Sequence, residues 1–389
     1  MLSILRRIYN SIALLPAGIA LFFALIACIL TALPMEAQDI PDFLKPIVIT
    51  GKTDVQSILA FIIGGIFTLT IFSYTMVMNV LNRSINNYSP RLIPLILSEK
   101  HHQLILGFTS GTIVYSMILS IAVANGTQGT FPPLGASIGV FMSIFCVFLF
   151  IYFIHSVSQS IHINYILKKS FDRGKLNLKK LKKLVKLMRV HTSPEDMSSW
   201  ESIKTEKCGY LQLPDFEKLA VKAFKEKCSM SLEHLPGMFV LEKDTLIKTS
   251  VKINDSWERR EHQVSVDMRV PLEMHESEIK HLVEVAVKAS SPAINDPGTS
   301  LAAIDYLTQL LILRAEIPDH NSYTLNDTNF VYVKWLPTQE LSIYCYLEMW
   351  HYMNEDPILI KGIKSSMHKL QSAGIIIDLK NLKTAGAFV

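Results

Sequence analysis

The stretch LGASIGVFMSIFCVFLFIYFIHSVSQSIHINYILKKSFDRGKLNLKKLKKLVKLMRV, residues 134–190, decides the architecture of the chain. It holds no Asp, Glu, Lys or Arg before Lys168, and its first part is apolar for the roughly 20 residues that a helix needs to cross a hydrocarbon core. From His155 through Ser156, Ser158, Gln159 and Ser160 it turns polar, as a helix does at a membrane edge. Beyond Lys168 it is strongly basic and amphipathic. A membrane span therefore leads directly into a charged segment that belongs in water.

Toward the N-terminus, three more stretches have the same apolar character, at about 11–33, 58–80 and 104–123, with the quoted one spanning 134–153. The first follows Arg6 and Arg7, but it is longer than the apolar part of a signal peptide and three further spans succeed it. Toward the C-terminus lie about 200 residues of ordinary polarity. This split explains how 389 residues combine 49% hydrophobic residues with only 19% charged ones. A purely soluble enzyme is excluded by that balance.

Lys and Arg gather in three places: Arg6 and Arg7; Arg83, Arg91 and Lys100 between the second and third spans; and the segment after the fourth. The 34–54 loop is dominated by Glu36, Asp39, Asp42 and Asp54, and the 124–133 loop has no charge. By the positive-inside rule both termini are expected in the cytoplasm. The same distribution explains the net charge of +4 without a nucleic-acid partner. Cys28, Cys146, Cys208, Cys228 and Cys345 form no Cys-x-x-Cys pair, so they read as free thiols and not as a metal or disulfide framework.

No span carries an ionisable residue in its interior, which argues against a proton or ion relay. The spans offer small residues instead: Gly64 and Gly65, then Gly107, Ser110 and Gly111, then Gly139, Ser143 and Cys146. Gly107 and Gly111 stand four apart, the spacing that lets two helices approach closely, and packing is the favoured reading over a pore lining. The polar residues along and beyond the fourth span, Ser143, His155, Ser158 and Gln159, are the candidates for a pore or gate. An interfacial helix end is the plainer explanation of the last three.

In the basic segment, Leu178, Leu181, Val185 and Met188 recur at helical spacing opposite Lys179, Lys180, Lys183 and Lys186. Such a helix can lie on anionic lipid headgroups, each cation there contributing about 1 kcal/mol. Alternatively it packs its apolar stripe on the following domain and leaves the lysines in water. The sequence thus divides into a transmembrane unit at 1–165, a basic juxtamembrane helix at 166–190, and an α+β domain at 191–389.

In that domain, 209–212 reads as a short strand and 214–227 as a helix with Phe216, Leu219, Ala220 and Phe224 inward. After the Pro236-Gly237 turn, 238–241 and 245–251 read as a strand pair. Helices follow at 275–289, 299–315 and 358–371, with a closing strand at 374–379. The linker Ser290-Ser291-Pro292-Ala293-Ile294-Asn295-Asp296-Pro297-Gly298 is the most distinctive local feature. Asp296 supplies an N-cap oxygen, and Pro297 stands at the first helical position, where its missing N–H costs nothing. Asp356-Pro357 repeats the device. The free amides of such a helix start also suit a small anionic ligand, so Asn295, Asp296 and Gly298 are candidates for a ligand or interface site, although the Asp296 carboxylate competes for the same donors.

Other motifs fail. Gly51-Lys52-Thr53 is no phosphate loop, because Pro46 stands where its first glycine is required. There is no His-Glu-x-x-His, no Gly-x-Ser-x-Gly and no Cys/His metal spacing. Asp305 and Glu284 read as members of a solvated face or of a local hydrogen bond, not as an acid–base pair. The expectation is a protein without cofactor, metal or catalytic set.

Several segments together resemble a family of bacterial predicted membrane proteins, domain-of-unknown-function family 2254. They are Ser89-Pro90-Arg91-Leu92 with Leu106-Gly107 and Gly111-Thr112; Phe153-Ile154-His155 with Gln159-Ser160-Ile161; Gly209-Tyr210 with Pro236-Gly237 and Phe239-Val240; and Ser291-Pro292 with Ile294-Asn295-Asp296-Pro297. Ala293 departs from the glycine expected there. The resemblance implies a four-span protein of the bacterial inner membrane with a cytoplasmic C-terminal domain, and it implies no activity. Since four uncharged spans are too few to enclose a pore alone, the favoured functional expectation is a homo-oligomeric, channel-like conduit regulated by that domain. The alternative is a membrane-anchored sensor or scaffold whose domain binds a partner.

Overall fold

The computed structural model describes residues 14–32, 51–87, 100–125, 133–160, 162–190, 194, 196–251, 266–267, 274–325 and 328–377. The chain divides into two compact units, Met1–Tyr165 and Ile166–Val389. The first has α1 (Leu14–Ala32), α2 (Lys52–Asn87), α3 (Lys100–Asn125) and α4 (Pro133–Ser160). All four are long and apolar enough to cross a membrane. They extend beyond the expected spans because polar residues at the ends, from Lys52 and Asp54 to Ser158 and Gln159, continue the same helices. Most of the 34–54, 82–100 and 124–133 loops, with Arg6 and Arg7, lies outside the described residues.

The interior of this unit is apolar in layers. Ala27, Val55, Leu59, Tyr115, Leu119, Val123 and Ala136 form one cluster, Ile62, Ile66, Ile113 and Cys146 a second, and Ile105, Phe153 and Val157 a third. The glycines of α3 are where α1 lies against it: a Cβ on Gly107 would meet the Pro16 backbone at 3.0 Å, and one on Gly111 would meet the Phe23 ring at 2.5 Å. Outward, Leu21, Phe61, Ile121, Phe148 and Ile151 are each at least 60% exposed. Rings and aliphatic chains so exposed are costly in water and at home in lipid.

The second unit contains most of α5 (Ile163–Val185) and then β1 (Glu201–Lys204), β2 (Gly209–Leu211), α6 (Phe216–Lys225), β3 (Met230–Leu232), β4 (Phe239–Val240), β5 (Thr245–Thr249) and β6 (Val266–Asp267). These are followed by α7 (His275–Ser290), α8 (Pro297–Ala315), β7 (His320–Thr324), β8 (Phe330–Lys334), α9 (Thr338–Met353) and α10 (Pro357–Ser372). A five-stranded sheet runs β1-β5-β3-β8-β7, parallel only between β3 and β8, and a small sheet runs β4-β2-β6. The fold is a four-helix membrane unit with an α+β unit.

Three local expectations are corrected. Segments 238–241 and 245–251 do not pair: β4 joins β2, with Gly209 opposite Val240, while β5 lies between β1 and β3. Leu241 accepts the chain-reversing bond from Asp244 N–H at 3.1 Å, and that turn redirects β5 into the larger sheet. Phe224 is 51% exposed, because α6 turns Phe216, Leu219, Ala220 and Ala223 inward and leaves the last turn outside. No strand forms over 374–377: Gly374 has φ of +83°, and the Gly374 and Ile375 N–H groups close back on the carbonyls of Gln371 and Leu370 as a helix end. Residues 378 and 379 lie outside the described residues.

Candidate functional site

In the membrane unit several hydroxyls turn back on their own helices. Ser143 Oγ donates to Val140 C=O at 2.8 Å, Thr68 to Gly64 C=O at 2.8 Å and Thr112 to Phe108 C=O at 2.8 Å. That pattern satisfies a polar group without a partner helix. His155, Ser158 and Gln159 are exposed on the last turns of α4, about three to four turns from the half-buried Ser143, so these four do not gather at one point. Ser156 instead faces α3, where His101 Nε2 and His102 Nε2 lie 2.9 and 3.2 Å from its Oγ. Adjacent histidines at i and i+1 gave no helical-face signal, and their meeting at one serine was not legible in the sequence.

The basic helix α5 uses its apolar stripe inside the second unit. Leu167, Phe171, Leu178, Leu181 and Val185 are buried, and the Phe171 ring lies 5.1 Å from that of Tyr306. Gly174 gives α8 room, since a Cβ there would meet Leu310 Cδ1 at 2.7 Å. Arg173 pairs with Glu278 at 3.3 Å, and Ser170 Oγ shares a hydrogen bond with His281 Nδ1 at 2.8 Å. Burial raises the Glu278 pKa, and Arg173 opposes the shift. Lys179, Lys180, Lys183 and Lys186 are exposed, whereas Met188 is half-buried. The side of α5 that carries those lysines is thus an exposed face of a packed helix.

The 290–298 linker is a helix cap. Asp296 Oδ1 accepts from Thr299 N–H at 3.0 Å and Oδ2 from the Thr299 hydroxyl at 2.6 Å, which lowers its pKa. Both carboxylate oxygens are engaged at the start of α8, where an anion would otherwise sit. Asn295 has φ of +49° and is exposed, as is Gly298. Asp356 caps α10 in the same way, through Ile358 N–H at 2.7 Å and Leu359 N–H at 3.2 Å.

The densest polar chemistry lies elsewhere, where the start of α7 meets the end of α8. Arg314 has 0% exposure. Its Nη1 donates to Ile317 C=O at 2.7 Å, and its Nη2 donates to Asp319 Oδ1 at 2.8 Å and Leu336 C=O at 2.9 Å. Five N–H donors in a rigid fork suit this task, and Nε is left without a hydrogen bond. His275 is also buried, and its Nδ1 lies 3.2 Å from Glu276 Oε2. His275 Nε2, Glu276 Oε2 and the Trp335 indole N–H make no hydrogen bond of good geometry among the described residues. Burial, reinforced by Arg314, pushes the His275 pKa down to about 3; burial pushes that of Glu276 up to about 7, against the pull of Arg314.

The sequence did hold one signal for this site. Ile304, Leu307, Leu311 and Arg314 fall on one helical face, so the periodicity that buries the first three carries a cation inward with them. The reading at hand passed over it, because an arginine at a helix C-terminus is normally a solvated partner of the helix dipole.

A profile described as predicted membrane protein (DUF2254) matches residues 9–367. Uncharacterized proteins of Mycobacterium bovis and Mycobacterium tuberculosis are each 22% identical over 324 residues, covering 77% of this chain and 59% of their own length. The chain thus spans about three fifths of the length of these relatives. No solved structure matches it.

Proposed function

This chain belongs to the DUF2254 family of predicted membrane proteins, and on that premise we propose that it is a membrane-anchored sensor. In this reading the four spans hold the α+β domain at the cytoplasmic face of the bacterial inner membrane, with both termini inside. The domain responds to a chemical signal by a binding role, not a catalytic one. The observation that supports it is the buried Arg314 cluster: charged side chains sit in the core of the domain, while no Asp, Glu, Lys or Arg is buried among the described residues of the spans. Buried groups with unmet hydrogen-bonding capacity are costly and tend to mark sites of response. Anionic headgroups would meet the exposed lysines of α5 as a secondary, salt-sensitive contact.

A homo-oligomeric conduit regulated by the domain is the second reading, and one observation favours it. Gly64 and Gly65 of α2 have nothing within 4 Å of a built Cβ, and Thr68 is exposed one turn on, so a small-residue face is open where another copy could pack.

Reconstitution into ion-loaded liposomes, with the oligomeric mass determined in detergent, separates the two. Tight liposomes are the result expected of a sensor. Flux from a defined oligomer, abolished by Gly64→Leu and Gly65→Leu together, would replace it with the conduit. Single-cysteine labelling from either side, beginning with Lys186→Cys and expected to react only from the cytoplasmic face, tests the orientation.

A further inference from the structure

The buried guanidinium at the end of α8 is bonded to one carboxylate, while a second, Glu276 at the start of α7, feels its charge without bonding it. Asp319 holds Arg314 through a direct bond of 2.8 Å, and its Oδ1 also lies 3.4 Å from Thr338 N–H. Glu276 receives no such bond and lies against His275. The backbone carbonyls of Ile317 and Leu336 also accept from the two Nη groups of Arg314, and its Nε makes no hydrogen bond. Burying a second carboxylate beside one paired cation leaves a surplus negative charge, and a proton is the smallest thing that removes it.

The local backbone adds a second reason. Met274, at the N-cap of α7, offers no side-chain oxygen, so Glu276 is the acidic group closest to the first-turn amides and bonds its own N–H. A carboxyl there has two alternatives that depend on its charge. As an acid it can donate to the imidazole nitrogen beside it; as a carboxylate it is drawn to the amides and to Arg314.

We propose that Glu276 is a proton-binding switch of this domain: with the proton it donates to His275 Nδ1, and without it the carboxylate contests Arg314 with Asp319. The proton moves between the Glu276 carboxyl and solvent, and no other bond changes. In the protonated state His275 is neutral and accepts at Nδ1, so among the described residues of the cluster the charge is that of the Arg314–Asp319 pair. Loss of the proton places one net negative charge in the core. Among the described residues, Lys280 on α7, whose Nζ lies 5.4 Å from the Tyr344 ring centroid, also acts on Glu276; Glu348 on α9 acts on Cys345, and the Glu278–Arg173 pair joins α7 to α5. Lys280 and Arg314 favour the carboxylate, whereas burial favours the acid and wins, which places the exchange near neutrality.

The switch would act on α5. Glu278, two residues beyond Glu276, and His281, a turn further, are contacts that α7 makes with this helix beside those of Tyr306 and Leu310 on α8, so a shift of the first turn of α7 reaches them directly. This use rests on the sensor reading above, whereas the proton site itself rests on the cluster.

Infrared difference spectroscopy of the full chain in detergent, titrated from pH 5.5 to 8.5, reads the proton site without reference to membrane function. A protonated-carboxyl band should be present at pH 5.5, vanish with a midpoint near neutrality, and be missing from Glu276→Gln. Asp319→Asn frees Arg314 for Glu276, so the midpoint should move to lower pH by about 1 to 3 units. No titrating band in the wild type, a band that survives in Glu276→Gln, or a midpoint unmoved in Asp319→Asn would each overturn the proposal. Liposome flux would count against the sensor reading and leave these spectra unaffected.

Discussion

The two units differ in how far their polar side chains reach. In the spans, hydroxyls such as Thr68, Thr70 and Ser73 return to carbonyls one turn back on the same helix, and the bonds from Tyr115 to Gly135 C=O at 2.8 Å and between Ser156 and His101 at 2.9 Å, which do join helices, involve no Asp, Glu, Lys or Arg. In the α+β unit, polar atoms bond across elements: Ser170 to His281, Ser300 to Ala286 C=O at 2.9 Å, Arg314 to Leu336, and Ser366 to both Thr308 and Tyr346. Self-satisfied hydroxyls suit a solvent that cannot accept a hydrogen bond. Cross-linked polar atoms fix the relative positions of elements and make the core depend on ionisation state. Under the proposed sensor reading, this difference is why the response is assigned to the second unit.

The sharpest way to break this contrast is to remove its central cation. Arg314→Met should destabilise the α+β unit by about 3–5 kcal/mol, because it strands Asp319 and two carbonyls. All four tryptophans, Trp200, Trp257, Trp335 and Trp350, belong to that unit, so their fluorescence in denaturant reports it selectively. A loss below 1 kcal/mol would mean that the cluster is not a structural centre.

The corresponding change in the spans acts by shape alone. Gly111→Leu forces a side chain into Phe23 and should cost about 1–3 kcal/mol in detergent, measured as a lowered thermal midpoint and independent of pH. Dependence on pH there would erase the distinction between the units. At the linker, Asp296→Ala removes two accepted bonds and should cost about 1 kcal/mol in denaturant unfolding. A gain in phosphate affinity of the same variant, read by calorimetry, would restore the anion reading of this helix start. The smallest effect belongs to Gly64→Ala, which has open space in a single chain and should change stability by no more than about 1 kcal/mol, in the stabilising direction. A clear loss, seen together with a smaller oligomeric mass, would instead show a second copy on that face.

Much of this was legible because it is local. Apolar length located α1 to α4, and Asp-Pro located the starts of α8 and α10 through one carboxylate and one ring. The strands were less so. β3 has three residues and pairs in parallel with β8, about 100 residues later, so its partner cannot be read from alternation nearby. The β7–β8 hairpin and α9 also escaped: His320–Thr324 is a polar edge strand, and α9 places Tyr344 and Tyr352 on its exposed side, which blurs its apolar face. The stripe of α5 was visible, but whether it faces lipid or protein is decided by Tyr306 and Leu310, far away in sequence. The Arg314 site needed α7, α8 and the 317–336 segment brought together, and only one of its members carried a periodic signal.

The account turns on the ionisation of Glu276, and the stability of Glu276→Gln relative to the wild type measures it most directly. The pKa in the folded protein, about 7, lies above the ordinary 4.5, so the folded state keeps a proton that the unfolded chain releases, and rising pH penalises the wild type between those values. Glutamine removes that penalty. In tryptophan-monitored denaturant titrations, the stability of the variant minus that of the wild type should climb by about 3 kcal/mol from pH 4.5 to 7 and level off above. The opposing contribution of His275, whose pKa is depressed from 6.5 to about 3, is common to both chains and cancels in the difference. A difference that is the same at pH 5 and pH 8 would contradict the account.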